Sequence, residues 1–358
     1  MNHVPSRNRP IRVLVVDDSP MMCKAIEKIL VHDEDIEVGA KALSGKEALS
    51  ALSSTKFDVC TLDVHMPGMN GLSVLKNIMV KYPLPTLMVS AFTGDGSKIT
   101  FEALRFGAVD FFKKPARNGG KEIEEQADLL RDSLKRASRV QVGAARYLRM
   151  KPVTGKADKS SDKAISGPNL AKKISIIYGA TGSYSSVLSI IPFLNMPQQG
   201  PVVVSMEVGA ENLSAFVDYL QPYSQCPLSV VTEALELYPR HVYFLPANHA
   251  AHFEKTGQVW AMTVKNRPIE SEKEGAIDLT LLSASEAFGN GVLSIFVSGD
   301  SYYGITGANE VLRNKGTVVA QKPSGCLAPG NAETVIGRFG APGSEPYELA
   351  KKINEWMI

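Results

Sequence analysis

The chain has 358 residues, enough for two domains that each bury a core of their own. It is 44% hydrophobic and 21% charged with a formal net charge of +2, a balance that argues against nucleic acid binding or membrane insertion as its main business. No run of about 18 apolar residues is present, and the opening MNHVPSRNRP lacks the apolar core of a signal peptide, so the expected location is cytoplasmic.

From Ile11 onward, β-branched runs alternate with segments of helical period. IRVLVVD, IEVGAKA, FDVCTLD, PTLMVSA and AVDFFKKP read as strands bounded by turn residues. Between them, MMCKAIEKIL and GLSVLKNIMV carry apolar residues at i, i+3, i+4 spacing. This βα repeat predicts a parallel sheet covered by helices on both faces, over residues 11–117.

The character changes after Pro115. A charged amphipathic helix is expected from Lys121 to Arg149, with Ile123, Leu129, Leu130, Leu134 and Val140 on its apolar stripe. KPVTGKADKSSDKAISGPNLAKK follows, with little to bury, and reads as a flexible linker, so that 118–173 joins two folded parts. The βα rhythm resumes at Ile174 with ISIIYGA, PVVVSMEV, HVYFLPAN, VWAMTV, VLSIFVSG and GTVVAQ as strands. Helices are expected at ENLSAFVDYL, DLTLLSASEAFG and YELAKKINEWM, giving a second doubly wound, mostly parallel α/β domain over 174–358. Cys23, Cys60, Cys226 and Cys326 form no CxxC pair and read as small apolar residues rather than disulfides or zinc ligands.

Ligands of a parallel sheet bind outside the carboxyl ends of its strands. In the first domain those ends carry Asp17 and Asp18, Asp63, Ser90 and Lys114. Three carboxylates on one desolvated rim call for a cation, and an oxygen-rich set suits Mg²⁺. Phosphorylation of Asp63 uses every part: a carboxylate nucleophile, a metal against the transferring group, a lysine ammonium beside it and a hydroxyl for the product. Helix capping by Asp17 and Asp18 would leave Asp63 and Lys114 unexplained.

VVDDSP, LDVHMPGMNG, MVSA and FFKKP together resemble the response-regulator receiver domain, a flavodoxin-like fold, across residues 11 to about 117. The resemblance implies Asp63 as phosphoacceptor, and Asp17, Asp18, Asp63 and the backbone carbonyl of His65 as ligands of Mg²⁺. It also implies Ser90, Phe111 and Lys114 as the switch residues, and a chemotaxis-type histidine kinase as phosphodonor.

In the second domain GATGSYSS, Gly179 to Ser186, follows a strand and opens a helix, the place of a nucleophile or a phosphate cradle. It lacks the GK[ST] of a P-loop and the third glycine of GxGxxG, which argues against nucleotide binding. IIYGATGS, PVVVSM, YFLPANH, AIDLTLL, SIFVSG and TVVAQKPS resemble successive segments of the CheB-type chemotaxis methylesterases, which demethylate glutamyl esters on chemoreceptors. Laid on that family's Ser-His-Asp triad, the serine falls on Thr181, the histidine on Met206 and the aspartate on Tyr303. A thioether accepts no proton and a phenol is no fixed anion, so the resemblance implies a catalytic turn without its chemistry. Ser183, Ser185, Ser186, Glu207 and Asp300 are spare groups nearby, while His241, His249 and His252 read as surface or hydrogen-bonded core histidines.

Three functions follow as expectations. The first is a phosphorylation-switched regulator whose methylesterase-fold output is catalytically impaired and acts by binding, with chemoreceptor cytoplasmic tails as partners. The second is a working methylesterase or glutamine deamidase with a non-standard site. The third is an output domain turned to an unrelated ligand.

Overall fold

A computed structural model describes residues 9–90, 96–114, 121–142, 171–195, 200–266 and 275–358. The chain divides into two compact units, Met1–Leu148 and Arg149–Ile358. Pro115 and nearly all of the linker segment lie outside the described residues.

In the first unit β1 (Ile11–Val16), α1 (Pro20–Leu30), β2 (Ile36–Ala42), α2 (Gly45–Ser54), β3 (Val59–Asp63) and α3 (Gly71–Lys81) are followed by β4 (Thr86–Ser90), α4 (Gly96–Arg105), β5 (Asp110–Lys113) and α5 (Lys121–Ala137). The five strands pair in parallel in the order β2-β1-β3-β4-β5. All residues of β3 and β4 are buried, as interior strands between two helical layers must be. Local chemistry sets the helix starts. Ser19, Ser44 and Asn70 each accept a backbone N–H in the first turn of α1, α2 and α3, a contact worth about 1 kcal/mol apiece.

The helix expected over Lys121–Arg149 is shorter, ending at Ala137. Leu130, Leu134 and Val140 are buried as expected, but Leu129 is exposed. One residue along a helix is a rotation of about 100°, so Leu129 cannot share the face of its neighbour Leu130. The side chain of Ile123 lies outside the described residues.

The second unit comprises β6 (Ile174–Gly179), α6 (Ser183–Leu188), β7 (Val202–Met206), α7 (Ala210–Leu220), β8 (Leu228–Val230), β9 (Leu235–Leu237), β10 (Val242–Leu245), β11 (His249–Thr256) and β12 (Val259–Asn266). It continues with α8 (Ala276–Phe288), β13 (Val292–Phe296), α9 (Ile305–Arg313), β14 (Thr317–Gln321), α10 (Gly330–Phe339), β15 (Gly343–Ser344) and α11 (Pro346–Trp356). Seven strands form a parallel sheet in the order β15-β14-β13-β6-β7-β10-β8. The chain leaves the central β6 for β7 on one side and later returns to β13 on the other, so a crevice opens at the carboxyl end of β6.

VWAMTV does not join this sheet. It lies in β12, which pairs antiparallel with β11 and β9 in a separate three-stranded sheet. A turn at Gly257, with φ of +65°, joins β11 to β12, and the short connection forces antiparallel pairing. This hairpin is tied to α8, since Ala251 N–H donates to Thr280 Oγ1 at 3.0 Å and Phe253 N–H to Ser283 Oγ at 2.8 Å.

Candidate functional sites

The parallel register of the first sheet brings the ends of β1, β3, β4 and β5 to one rim, and with them Asp17, Asp63, Ser90 and Lys114. Carboxylate oxygens of Asp17, Asp18 and Asp63 lie within 4.8 Å of one another. Asp17 and Asp63 are buried and Asp18 is exposed, so the cluster has a dry floor and a wet mouth. Lys114 Nζ bridges the two buried acids, 2.9 Å from Asp17 Oδ2 and 2.9 Å from Asp63 Oδ2. Each acid is oriented through its other oxygen: Ser19 N–H donates to Asp17 Oδ1 at 2.9 Å and His65 N–H to Asp63 Oδ1 at 3.2 Å.

The electrostatics follow from burial. Desolvation raises the Asp63 carboxyl above its ordinary range, opposed by Lys114. Burial works to lower the Lys114 ammonium, but the hydrogen bonds and charges of Asp63 and Asp17 leave it raised. Apart from that ammonium, Asp17 Oδ2 and Asp63 Oδ2 have no hydrogen-bond partner among the described residues. Hard oxygen donors, two of them under-satisfied and one open to water, fit Mg²⁺, which keeps part of its water shell.

The remaining expected residues lie on β4, β5 and the loop after β3. Ser90 is 4% exposed, and its hydroxyl has no hydrogen-bond partner among the described residues. Phe111 is half-buried on β5, paired with Met88 of β4. His65 is exposed beside an open, mostly apolar recess of about 350 Å³ that Val64, Met66, Pro67 and Ile99 also line. Gly71 was not singled out from sequence, yet a Cβ there would sit 2.1 Å from the Asp63 carbonyl oxygen. Only glycine lets α3 start this close to the acid's own backbone.

In the second unit Thr181 and Tyr303 lie in loops after β6 and β13, and Met206 is the last residue of β7, so all three stand at the carboxyl edge of the sheet. Thr181 is exposed, and its carbonyl accepts a hydrogen bond from Ser298 Oγ at 2.7 Å. Gly182 holds φ of +78° at the start of α6, where a Cβ would meet both Leu327 Cβ and Ser298 Oγ at 2.7 Å. Met206 is 1% exposed. Tyr303 packs its ring on Gly275, with the ring carbon Cγ 2.5 Å from where a Cβ would stand.

The histidines are engaged elsewhere. His241 Nε2 lies 2.9 Å from Ser229 Oγ and its ring stacks on Tyr243. His249 Nδ1 lies 2.8 Å from the Ala247 carbonyl, and His252 Nδ1 2.9 Å from Ser283 Oγ. The buried carboxylate of Asp278 accepts three backbone N–H groups, from Gly275, Gly304 and Gly307, at 3.1, 2.8 and 2.9 Å. It fixes the loop that carries Tyr303.

Three further groups meet at the same rim. Tyr178, read from sequence only as a strand residue, points its hydroxyl out of the end of β6, donating to Glu207 Oε1 after β7. That same hydroxyl oxygen lies 2.7 Å from Ser301 Oγ after β13. A phenol ending an apolar run was the available signal, but which strands flank it was not readable from spacing.

Residues 13–124 match the family described as response regulator receiver domain, and residues 175–349 the family described as CheB methylesterase. Over 97% of this chain and 99% of the relative, the sequence is 32% identical to the protein-glutamate methylesterase/protein-glutamine glutaminase of Thermotoga maritima. It is 29% identical to the protein of the same name from Pyrococcus abyssi, over 89% of this chain and 85% of the relative. The crystal structure of the response regulator domain of Thermotoga maritima CheB is 41% identical over 37% of this chain and 99% of its own, with a TM-score of 0.34.

Proposed function

Because this chain belongs to the protein-glutamate methylesterase/protein-glutamine glutaminase family, joining a response regulator receiver domain to a CheB methylesterase domain, we propose that it is a phosphorylation-controlled regulator of a chemotaxis-type two-component system. Asp63 takes the phosphoryl group from a histidine kinase. Its carboxylate oxygen attacks phosphorus, the bond to the donor breaks, and Lys114 pairs with the new charge. Asp17, Asp18, Asp63 and the His65 carbonyl would hold Mg²⁺, which when bound neutralises the phosphoryl oxygens. Ser90 then hydrogen-bonds the phosphate and Phe111 turns inward, the two-state element of the switch. The observation that carries this reading is the Lys114 ammonium lying 2.9 Å from both buried acids.

For the second unit, the output we propose is binding of chemoreceptor tails, with the family's own ester hydrolysis impaired. The support is chemical: in the histidine slot stands the buried thioether of Met206, and in the aspartate slot Tyr303. Loss of one triad member typically costs several powers of ten in turnover. The opposing reading, turnover through altered residues, is favoured by near full-length relatives that bear the methylesterase name. Methanol release from methylated receptors, with and without acetyl phosphate, separates the two. Turnover that Thr181→Ala abolishes would refute the binding reading, and receptor binding without methanol release would support it.

A further inference from the structure

The recess beside His65 begins where the phosphoacceptor ends. Val64, its first lining residue, is bonded to Asp63, so their Cα atoms stand about 3.8 Å apart. Val64 and Met66 are buried, Leu72 and Ile99 half-buried, and Pro67 and His65 exposed, around a volume of about 350 Å³. Apart from His65 these side chains are apolar. The loop that forms them is fixed at both ends: His65 N–H donates to Asp63 Oδ1 at 3.2 Å, Gly71 N–H to the Val64 carbonyl at 3.1 Å, and Ser73 N–H to Asn70 Oδ1 at 2.9 Å. An occupant therefore meets a preformed surface.

Chemistry at Asp63 decides what reaches that surface. In phosphoryl transfer the attacking and leaving oxygens lie roughly in line with phosphorus. With the buried Asp63 attacking from below, the leaving oxygen points out of the rim and the rest of the donor lies across its mouth. In the strand order β1-β3-β4, the exposed carboxylate of Asp18 stands on the β1 side of Asp63, and the recess lies between the loop after β3 and α4. An uncharged chain gains nothing beside that carboxylate and sheds water against the recess.

We propose that this recess is a subsite for the leaving group of a small phosphodonor, an acyl phosphate whose acyl chain is apolar and longer than acetyl. An Asp63 carboxylate oxygen forms a bond to phosphorus, the bond from phosphorus to the bridging oxygen breaks, and the acyl group departs as its carboxylate with that electron pair. Atoms and charge balance without a proton or a further reactant. The phosphoryl end meets the charged rim that Lys114 completes, while the chain lies against Val64, Leu72 and Ile99. This inference rests on the reading of Asp63 as phosphoacceptor and adds to it a choice among donors.

The test compares acetyl, propionyl and butyryl phosphate on the full-length protein with Mg²⁺, reading hydroxylamine-labile label on Asp63. The three parent acids are of nearly equal strength, so differences in rate report the protein and not the leaving group. The second-order rate of labelling is expected to rise about threefold for each added methylene, and so about tenfold from acetyl to butyryl. Ile99→Asn and Leu72→Gln, both at half-buried positions, are expected to bring the butyryl to acetyl ratio down to about two. Taking the ratio within one variant cancels any general loss of phosphoacceptance. Rates that do not rise with chain length in the wild type overturn the proposal, and so does a ratio that stays near its wild-type value in both variants. Equal labelling of Asp63 by all three donors overturns this inference alone, whereas no label on Asp63 from any donor overturns the reading of Asp63 as well.

Discussion

Lys114 Nζ lies 2.9 Å from Asp63 Oδ2, at the junction of two buried acids and one exposed one. A single ammonium thus offsets two carboxylates that sit out of water, so the stability of the first rim depends on it, and in the proposed switch the same group would pair with the phosphoryl charge.

Removing that ammonium leaves uncompensated buried charge. Lys114→Ala is expected to lose about 3 kcal/mol of stability without metal, and to recover part of it on adding Mg²⁺. Urea titrations with and without Mg²⁺ check both halves.

The pH dependence has a definite sign. Lys114 is raised in the folded state, so its contribution is complete below the unfolded-state value of about 10.4 and is lost as pH rises through the higher folded value. The stability gap between wild type and Lys114→Met is expected to hold at neutral pH and close in strongly alkaline solution, measured by urea midpoints along a pH series.

Phosphoacceptance is expected to vanish in Asp63→Asn and on chelation of Mg²⁺, read as hydroxylamine-labile label from acetyl phosphate. Asp17→Asn keeps a carbonyl oxygen but removes one negative charge of the oxygen set, and its Mg²⁺ affinity, followed by calorimetry, is expected to fall at least tenfold by analogy with weakened metal-site contacts.

Gly71→Ala asks α3 to move off the Asp63 carbonyl, since the added carbon would stand 2.1 Å from it. The expected cost is about 3 kcal/mol, with a matching loss of label on Asp63. Thermal melting and phosphorylation kinetics report the two effects separately.

Asp278→Ala strands three N–H donors, the buried ones of Gly304 and Gly307 and the part-buried one of Gly275. A loss of about 3 kcal/mol is expected. Hydrogen exchange of the 299–304 loop, observed by mass spectrometry, is expected to speed up.

The first rim was legible because its chemistry is written in the sequence at strand ends: in a parallel sheet, VVDD and TLD bring Asp17 and Asp63 to the same edge whatever the detailed packing. The close approach of Gly71 was not, because it depends on a distance between α3 and β3 that no spacing encodes. VWAMTV was read as a strand but not into its own sheet, since apolar runs announce a strand and not its partners. Tyr178 and Ser301 are separated by 123 residues, and only the order β13-β6-β7 makes them neighbours. The absence of imidazole at Met206, by contrast, needed no structure beyond the family's pattern.

Asp278 binds the backbone directly after residues 300–303, at Gly304 and Gly307, together with that of Gly275. Tyr302, 92% exposed, stands at the outer end of that loop. Such a division lets the tip vary while the frame beneath it stays put. Tyr302 is the position where that freedom is greatest: its side chain stands clear of the frame, whereas Ser301 is bonded to Tyr178 and Tyr303 packs on Gly275, so a change of surface at this edge can come from one residue without disturbing its neighbours.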